Sequence, residues 1–138
     1  MRISTKGRYG LRVMIDIATH GGDEYIALKD IANRLNITVK YLEQIVTPLS
    51  KAGFLTSMRG NNGGHKLAMS PSECRVGDIL RVMEGNLSPV ECMASGDLEC
   101  PLAESCATVT FWKGLDEVVN KYIDSYTLQD LLPTPTDK

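Results

Sequence analysis

Residues 38–66 constrain the fold more than any other stretch, because a helical pattern and a hairpin pattern follow each other there. Thr38 is a good N-cap, and the apolar residues behind it recur at helical spacing. These residues are Val39, Leu42, Ile45 and Val46. Runs at 54–58 and 66–69 then flank a turn at 59–64 that is rich in Gly and Asn, as in a two-stranded hairpin. A short helix followed by such a wing predicts a winged helix, whose usual ligand is duplex DNA.

Another helix is predicted just before this stretch, over residues 28–35, so that the two helices form a helix-turn-helix over 28–52. Its start is weakly specified, because Ala27 stands where a capping Ser or Thr is expected. Pro48 lies inside the later helix of the pair and removes one backbone hydrogen bond. We therefore expect that helix to kink or break near residues 44–47.

The helix that Thr38 opens has a polar face opposite its apolar residues. Side chains on this face can reach base edges or phosphates if the helix lies in a major groove. They are Lys40, Tyr41, Glu43 and Gln44. This face is the first candidate DNA-binding surface.

Residues 4–20 are predicted to form the first helix of the chain, which Ser4 or Thr5 can cap. Basic side chains cluster at its start, where they oppose the helix dipole. They are Arg2, Lys6, Arg8 and Arg12. A bound phosphate would relieve this repulsion, so Arg2, Lys6 and Arg8 are candidate DNA contacts. An ordinary solvated basic end is the alternative.

The net charge of −2 alone argues against a nucleic-acid binder, but the charges are unevenly distributed. Residues 1–69 hold 10 Lys and Arg against 5 Asp and Glu, whereas residues 70–138 hold 5 against 12. A basic front half and an acidic back half suit a DNA-binding domain attached to a second functional part. Chance segregation on a solvated surface is the alternative.

The composition is that of a soluble globular protein, with 43% hydrophobic and 23% charged residues. No apolar run approaches the ~20 residues that a membrane span needs, and the first residues have no signal-peptide core. We therefore expect a cytoplasmic protein without a membrane partner.

The back half contains a helical pattern over 76–84 and a longer one over about 104–126. The longer pattern carries an apolar stripe that a chain with so few other helices cannot easily bury. The stripe consists of Val109, Trp112, Leu115, Val118, Val119, Tyr122 and Tyr126. We expect a dimerisation helix that packs against its twin in a homodimer, with packing on its own domain as the alternative. Thr127 and Asp130 then resemble a capping box for a last short turn.

These patterns predict a mainly α fold with a small β-hairpin wing and four consecutive parts. The parts are a winged helix-turn-helix domain over 1–85 with its wing at 54–69, a cysteine segment over 86–106, a dimerisation helix over 104–126, and a short turn and tail over 127–138.

Three of the four cysteines, Cys92, Cys100 and Cys106, fall in the segment without periodicity. In a cytosolic chain they are more often metal ligands or redox thiols than disulfide partners. Their C-x(7)-C-x(5)-C spacing fits zinc poorly but suits an iron–sulfur cluster held by thiolates. The fourth ligand is open among Glu91, Asp97, Glu99, Glu104 and a residue of the other subunit. Three unrelated reduced cysteines are the alternative, and Cys74 is expected to pack as a small apolar group.

Several motifs resemble the IscR/NsrR/CymR superfamily of bacterial winged-helix repressors over almost the whole chain. They are Met-Arg-Ile-Ser-Thr-Lys-Gly-Arg-Tyr-Gly at the start, Tyr41-Leu42-Glu43-Gln44, Arg59-Gly60-x-x-Gly63-Gly64 and Thr127-Leu128. The resemblance implies a homodimer on a palindromic operator. It places Lys40, Tyr41, Glu43 and Gln44 in the major groove, and Arg59 with Gly60 at the minor groove.

The three cysteines resemble those of the cluster-binding members, and their spacing resembles RirA-type iron regulators. This implies a regulator of cluster biogenesis or iron homeostasis with a 2Fe–2S cluster, or a 4Fe–4S cluster as the alternative. The chain departs at the fourth ligand: Val109 stands where IscR-type members have histidine, and Arg8 stands where NsrR-type members have an acid.

Residues 3–11 and 87–91 resemble CymR-type members instead. This keeps open a cluster-free repressor of cysteine metabolism that acts through a partner enzyme. A catalytic cysteine is disfavoured, because no Cys/His pair occurs at a plausible local spacing and only the distant His20 and His65 are available. We therefore expect a protein that is not an enzyme.

Overall fold

The computed structural model describes residues 2–88 and 107–133, which form a mainly helical domain with one β-hairpin. In chain order the elements are α1 (Thr5–Gly21), α2 (Leu28–Leu35), α3 (Val39–Lys51), β1 (Leu55–Met58), β2 (Gly64–Leu67), a 3-10 helix (Pro71–Glu73), α4 (Val76–Glu84), α5 (Val109–Asp124) and α6 (Leu128–Leu131). The predicted fold class is confirmed. Among these helices, none is long and apolar enough to cross a membrane.

Capping side chains fix the starts of α1 and α3. The hydroxyl oxygen of Ser4 accepts a hydrogen bond from the backbone N–H of Gly7 at 3.1 Å, and that of Thr38 accepts from Tyr41 at 3.0 Å. Both bonds satisfy donors that a helix start otherwise leaves unpaired. Ala27 makes no such bond at the start of α2, as its side chain predicts.

One hydrophobic core joins α1, α2, α3 and α4. Each helix contributes side chains that are almost completely excluded from solvent, including Met14, Ile31, Leu42 and Ile79. Burying a side chain of this size contributes about 1.5–3 kcal/mol, so this core fixes how the helices pack around α3.

Pro48 does not interrupt α3, and the prediction of a break near residues 44–47 is wrong. α3 is continuous from Val39 to Lys51. The ring removes one N–H, but the backbone carbonyl of Pro48 still accepts from Ala52 at 3.0 Å. Ile45 and Leu49 are fully buried on either side, so tertiary packing holds the helical course.

The wing differs from its prediction at the second strand, which begins at Gly64 rather than at residue 66. The strands are antiparallel, with Leu55 opposite Leu67 and Met58 opposite Gly64. Gly64 has a φ of 152°, and a side chain there would collide with the backbone carbonyl oxygen of Ile26. This close approach lets Ile26 and His65 exchange two backbone hydrogen bonds of 2.8 and 2.9 Å, so Ile26 forms an isolated antiparallel bridge with the wing.

The predicted helix over 76–84 is confirmed as α4, but α5 begins at Val109 and not at residue 104. Residues 107 and 108 form a turn, and the predicted residues 104–106 lie outside the described part of the chain. The hydroxyl oxygen of Thr108 accepts from the indole N–H of Trp112 at 3.1 Å instead of capping the backbone. At the other end, the carboxylate of Asp130 accepts from the backbone N–H of Thr127 at 2.8 Å, as the capping box predicts.

Candidate nucleic-acid interface

α3 buries one side and leaves the opposite side uncovered. Leu42, Ile45 and Leu49 are fully buried, whereas Lys40, Glu43 and Gln44 are exposed. Within residues 2–88 and 107–133, no carboxylate forms a salt bridge with Lys40. The helix therefore presents one unpaired cation, one carboxylate and one amide in a row on a rigid, well-packed element.

Tyr41 differs from the other candidates on α3, because its ring is partly buried against α1. The rings of Tyr41 and Tyr9 meet edge to face, with centroids 6.0 Å apart at 82°. The guanidinium carbon of Arg12 lies 5.1 Å from the Tyr9 ring centre. Such aromatic and cation–π contacts contribute about 0.5–1.5 kcal/mol each. They hold the first turn of α3 against α1, beside the basic side chains of that helix.

The tip of the wing is a tight turn with Arg59 at its exposed start. Gly60 has a φ of 114°, and its carbonyl accepts from the N–H of Gly63 at 3.0 Å. A side chain on Gly63 would collide with the carbonyl of Met58, so glycine is required there. Among the described residues, no carboxylate pairs with Arg59. The turn thus presents a free guanidinium at the end of the hairpin.

At the start of α1, Arg2 and Arg8 line an open cavity of about 400 Å³ together with Ser4 and Thr5. Lys6 is half-buried beside them, and the guanidinium of Arg8 donates to Thr5 at 3.3 Å. These three cations, predicted as DNA contacts, lie on one helix start.

The structure also supplies a counter-charge that sequence inspection missed. A carboxylate oxygen of Glu84 accepts from the backbone N–H of Ser4 at 2.8 Å and from its hydroxyl at 2.7 Å. Glu84 is 80 positions away in the chain, so no local pattern connects it with α1. This internal carboxylate compensates the helix dipole at the place where the charge pattern favours a phosphate.

α5 has no buried residue, and its most exposed apolar side chains share one face. Phe111 and Val118 are each 65% exposed and Tyr122 is 61% exposed. Phe111 and Val118 are seven residues apart, and Val118 and Tyr122 are four residues apart, so all three lie along the same side of the helix. Val118 and Tyr122 belong to the predicted stripe, while Phe111 does not. The half-buried stripe residues include Leu115 and Val119.

The candidate metal ligands Cys92, Cys100 and Cys106 lie outside the described residues. In the described part, no group of three or more His, Cys, Asp or Glu residues is arranged to hold a metal ion. Cys74 is 1% exposed, and burial, with a smaller contribution from the charge of Asp78, raises the pKa of its thiol to about 11. Cys74 therefore stays protonated and packs as a small apolar group, as predicted.

Comparisons with known proteins agree with this geometry. The family described as "Rrf2: Iron-dependent Transcriptional regulator" matches residues 3–134. The chain is 43% identical to the HTH-type transcriptional regulator CymR of Bacillus subtilis, over 95% of this chain and 89% of that protein. It is 39% identical to Protein rrf2 of Nitratidesulfovibrio vulgaris, over 96% and 87% of the two chains.

Solved structures show the same arrangement of elements. The B. subtilis CymR structure superposes with a TM-score of 0.77 at 41% identity, covering 95% of each chain. The T. potens IscR structure superposes with a TM-score of 0.71 at 37% identity, covering 95% of this chain and 85% of that one. These are regulators and not enzymes, which agrees with the expectation for this chain. The helix-turn-helix, the wing and the match over nearly the whole length therefore lead to one conclusion: the chain belongs to the Rrf2 family of transcriptional regulators.

Proposed function

We propose that the protein is a dimeric repressor that binds a palindromic duplex, with α3 in the major groove and the wing tip at the minor groove. The observation that carries this proposal is the division of α3 into a fully buried apolar side and an uncovered polar side. A B-DNA major groove is wide enough for one such helix. The protein would act in the cytoplasm, where bacterial promoter DNA lies.

Each exposed group on α3 has a chemical role that suits its side chain. The carboxylate of Glu43 accepts from the amino group of cytosine, and the amide of Gln44 forms two hydrogen bonds with adenine. Lys40 donates to a phosphate or to guanine. The ring of Tyr41 packs on Tyr9, so its hydroxyl would contact the DNA sugar–phosphate backbone rather than a base.

The remaining candidate cations would bind the DNA backbone and the minor groove. Arg59, with Gly60 allowing close approach, would enter a narrow minor groove, whose negative potential attracts guanidinium groups. Arg2, Lys6 and Arg8 would neutralise phosphates beside the first turn of α3.

We also propose the division of the chain into a DNA-binding head over 1–85, a cysteine segment over 86–106, the dimerisation helix α5 over Val109–Asp124, and a short turn and tail over 127–138. The exposed face of Phe111, Val118 and Tyr122 is the surface that a second copy would cover, and Gly114 on the same face leaves room for close approach. A symmetric pair of such helices gives a closed dimer, and a dimer of two heads requires a palindromic site.

Substitutions on the two elements test the DNA-binding proposal. Arg59→Ala is expected to weaken binding of a selected duplex by about 1–3 kcal/mol. Glu43→Ala is expected to change base preference more than affinity, since a carboxylate accepts from cytosine but repels phosphate. Lys121→Ala, which removes a positive charge as Arg59→Ala does but from α5, serves as the control for Arg59→Ala. Wild-type affinity and base preference in both variants would contradict the proposal.

We further propose that Cys92, Cys100 and Cys106 hold an iron–sulfur cluster, 2Fe–2S or alternatively 4Fe–4S, which would make the protein an IscR-type regulator of cluster biogenesis or iron homeostasis. Three thiolates within fifteen residues are a donor set that suits such a cluster, and the family description names iron. A bound cluster would make the conformation of the cysteine segment sensitive to redox conditions and to iron supply. The cysteine segment precedes α5 directly in the chain, so a restraint there would bias the start of the dimerisation helix.

Anaerobic purification tests this assignment through absorbance, iron and sulfide content. The wild type is expected to be coloured and to contain iron and sulfide, while a variant with all three cysteines changed to alanine is colourless. Cys74→Ala is the matched control, because its buried thiol is not a ligand candidate. Visible absorbance and cluster-dependent operator choice in the triple variant would contradict the assignment.

A second candidate function is a cluster-free repressor of cysteine metabolism that acts through a partner enzyme. It is favoured by the identity of 41% to the solved CymR, whose structure is called that of the global cysteine regulator of B. subtilis. Colourless, iron-free protein after anaerobic purification, together with intact DNA binding, would favour this function over the first.

A further inference from the structure

One polar cluster joins the end of α5 to α4. The guanidinium of Arg81 donates to both carboxylate oxygens of Asp124, at 2.8 and 2.9 Å, and to the side-chain oxygen of Asn120 at 2.8 Å. A longer contact of 3.3 Å reaches Asp78 on its own helix. The pair with Asp124 is bidentate, which fixes the orientation of both groups as well as their distance.

The backbone supports the same junction. A side chain on Gly77 would collide with the carboxylate of Asp124, so glycine lets α4 and α5 approach closely. The backbone N–H of Val76 donates to the carbonyl of Tyr126 at 3.0 Å, and that of Leu128 donates to the carbonyl of Cys74 at 2.7 Å. The carboxy-terminal end of α5 and the residues after it are therefore attached to the α4 region both by the Arg81 side chain and by two backbone hydrogen bonds.

From α4 the contacts continue through α1 to α3. A side chain on Gly10 of α1 would lie only 2.8 Å from Met83 of α4, and Glu84 binds Ser4 at the start of α1. α1 in turn holds the first turn of α3 through Tyr9 and Tyr41. These close contacts leave little freedom between the end of α5 and α3.

We infer that Arg81, with Asp124 and Asn120, is a positioning site that sets the angle at which α5 leaves the DNA-binding head. This inference rests on the proposed dimer. Because two heads in a dimer are joined through α5, this angle determines the separation and rotation of the two α3 helices. The polar cluster thereby selects the half-site spacing of the operator without touching DNA.

The test compares half-site spacing preference in variants of this cluster. A duplex is first selected by the wild type from a random library, and one or two base pairs are then inserted at its centre. Each inserted base pair rotates one half-site by about 34°, since B-DNA has about 10.5 base pairs per turn. Dissociation constants are measured for these duplexes and for a single half-site. The variants are Asp124→Asn and Arg81→Lys, which loses the bidentate geometry but keeps its charge.

The wild type is expected to prefer its selected spacing by roughly 30-fold or more, since an inserted base pair moves one half-site out of register with its α3. In Asp124→Asn and Arg81→Lys this preference falls to about threefold or less, while half-site affinity stays near wild type and circular dichroism shows that the head remains folded. Asp78→Asn is the matched control, because it removes only the 3.3 Å contact, and it keeps the wild-type preference.

Two results would overturn the inference. One is unchanged spacing preference in both variants, and the other is a loss of half-site affinity with unchanged preference, which indicates a structural role alone. If the wild type itself shows no spacing preference, the proposed dimer fails as well, and that failure is recognisable because it appears before any substitution.

Discussion

The DNA-binding head and α5 bury their apolar residues to very different extents. The head has a continuous core in which Met14, Leu42 and Ile79 are fully excluded from solvent. α5 has 16 residues and none of them is buried. An amphipathic helix with an uncovered apolar face is stable only when something packs on that face. The core of the head is completed by Leu128 of α6, whereas the apolar face of α5 needs a second surface to cover it.

The largest expected effect comes from placing charge on the apolar face of α5, which tests whether a second copy covers that face. Val118→Glu combined with Tyr122→Glu is expected to raise the dimer dissociation constant by roughly 1,000-fold, since carboxylates in an apolar interface lose their hydration. The head should stay folded, because neither side chain contacts its core. Analytical ultracentrifugation and circular dichroism measure both effects. The double change of exposed polar neighbours, Glu117→Gln with Lys121→Gln, should leave the dimer intact.

The head is tested by truncating a core residue of α3. Leu42→Ala is expected to lower the free energy of unfolding by about 2–5 kcal/mol, because the change removes buried methyl groups and leaves a cavity. Denaturant unfolding measures this loss. Met58→Ala on the wing, where the side chain is 50% exposed, is the control and should change stability by less than about 0.5 kcal/mol. Equal losses in the two variants would contradict the contrast between core and surface.

Removing an ion pair inside the head is expected to have a smaller effect on the free energy of unfolding. The carboxylate of Asp16, whose side chain is 6% exposed, accepts two hydrogen bonds from Arg34 at 2.7 and 2.8 Å and so links α1 to α2. Arg34→Ala leaves this carboxylate buried without its main partner. We expect a loss of about 2 kcal/mol in denaturant unfolding, less than for fully buried pairs because Arg34 is partly exposed. Adding Asp16→Asn should restore part of the loss.

The smallest expected effect is a pH dependence from His65 in the wing. Burial lowers the pKa of His65 below its ordinary value of 6.5, and its Nδ1 atom has no hydrogen-bond partner among the described residues. The unfolded chain therefore binds the proton more readily than the folded one. Stability is fully present above pH 6.5 and declines as the pH falls from there towards the folded pKa. Unfolding measured across this range should be less pH-dependent in His65→Gln, and an unchanged slope would contradict the assignment.

Local patterns predicted much of the head from the sequence. Ser4 and Thr38 marked the helix starts, Gly21 ended α1, and the bounds of α2 and α4 were predicted without error. These features depend on side chains within a few residues of each other, so the sequence contains them directly. Pro48 was misjudged because buried neighbours on α3 outweigh the loss of one hydrogen bond.

Contacts between distant residues could not be predicted in this way. Glu84 at the start of α1, Arg34 on Asp16 and Arg81 on Asp124 join residues that are 80, 18 and 43 positions apart. No periodicity links such positions, and each pair forms only after the helices pack. Phe111 was missed on α5 for a related reason, because only the packed structure shows which side of that helix stays uncovered.

We expect two cationic heads, joined through α5, to bind one duplex. The most direct measurement is the binding constant and stoichiometry of the wild type on its selected palindromic duplex at several salt concentrations. We expect two chains per duplex. The logarithm of the binding constant should fall linearly with the logarithm of salt concentration, because each phosphate contact releases counterions. A single chain per duplex, or a binding constant independent of salt, would contradict this expectation.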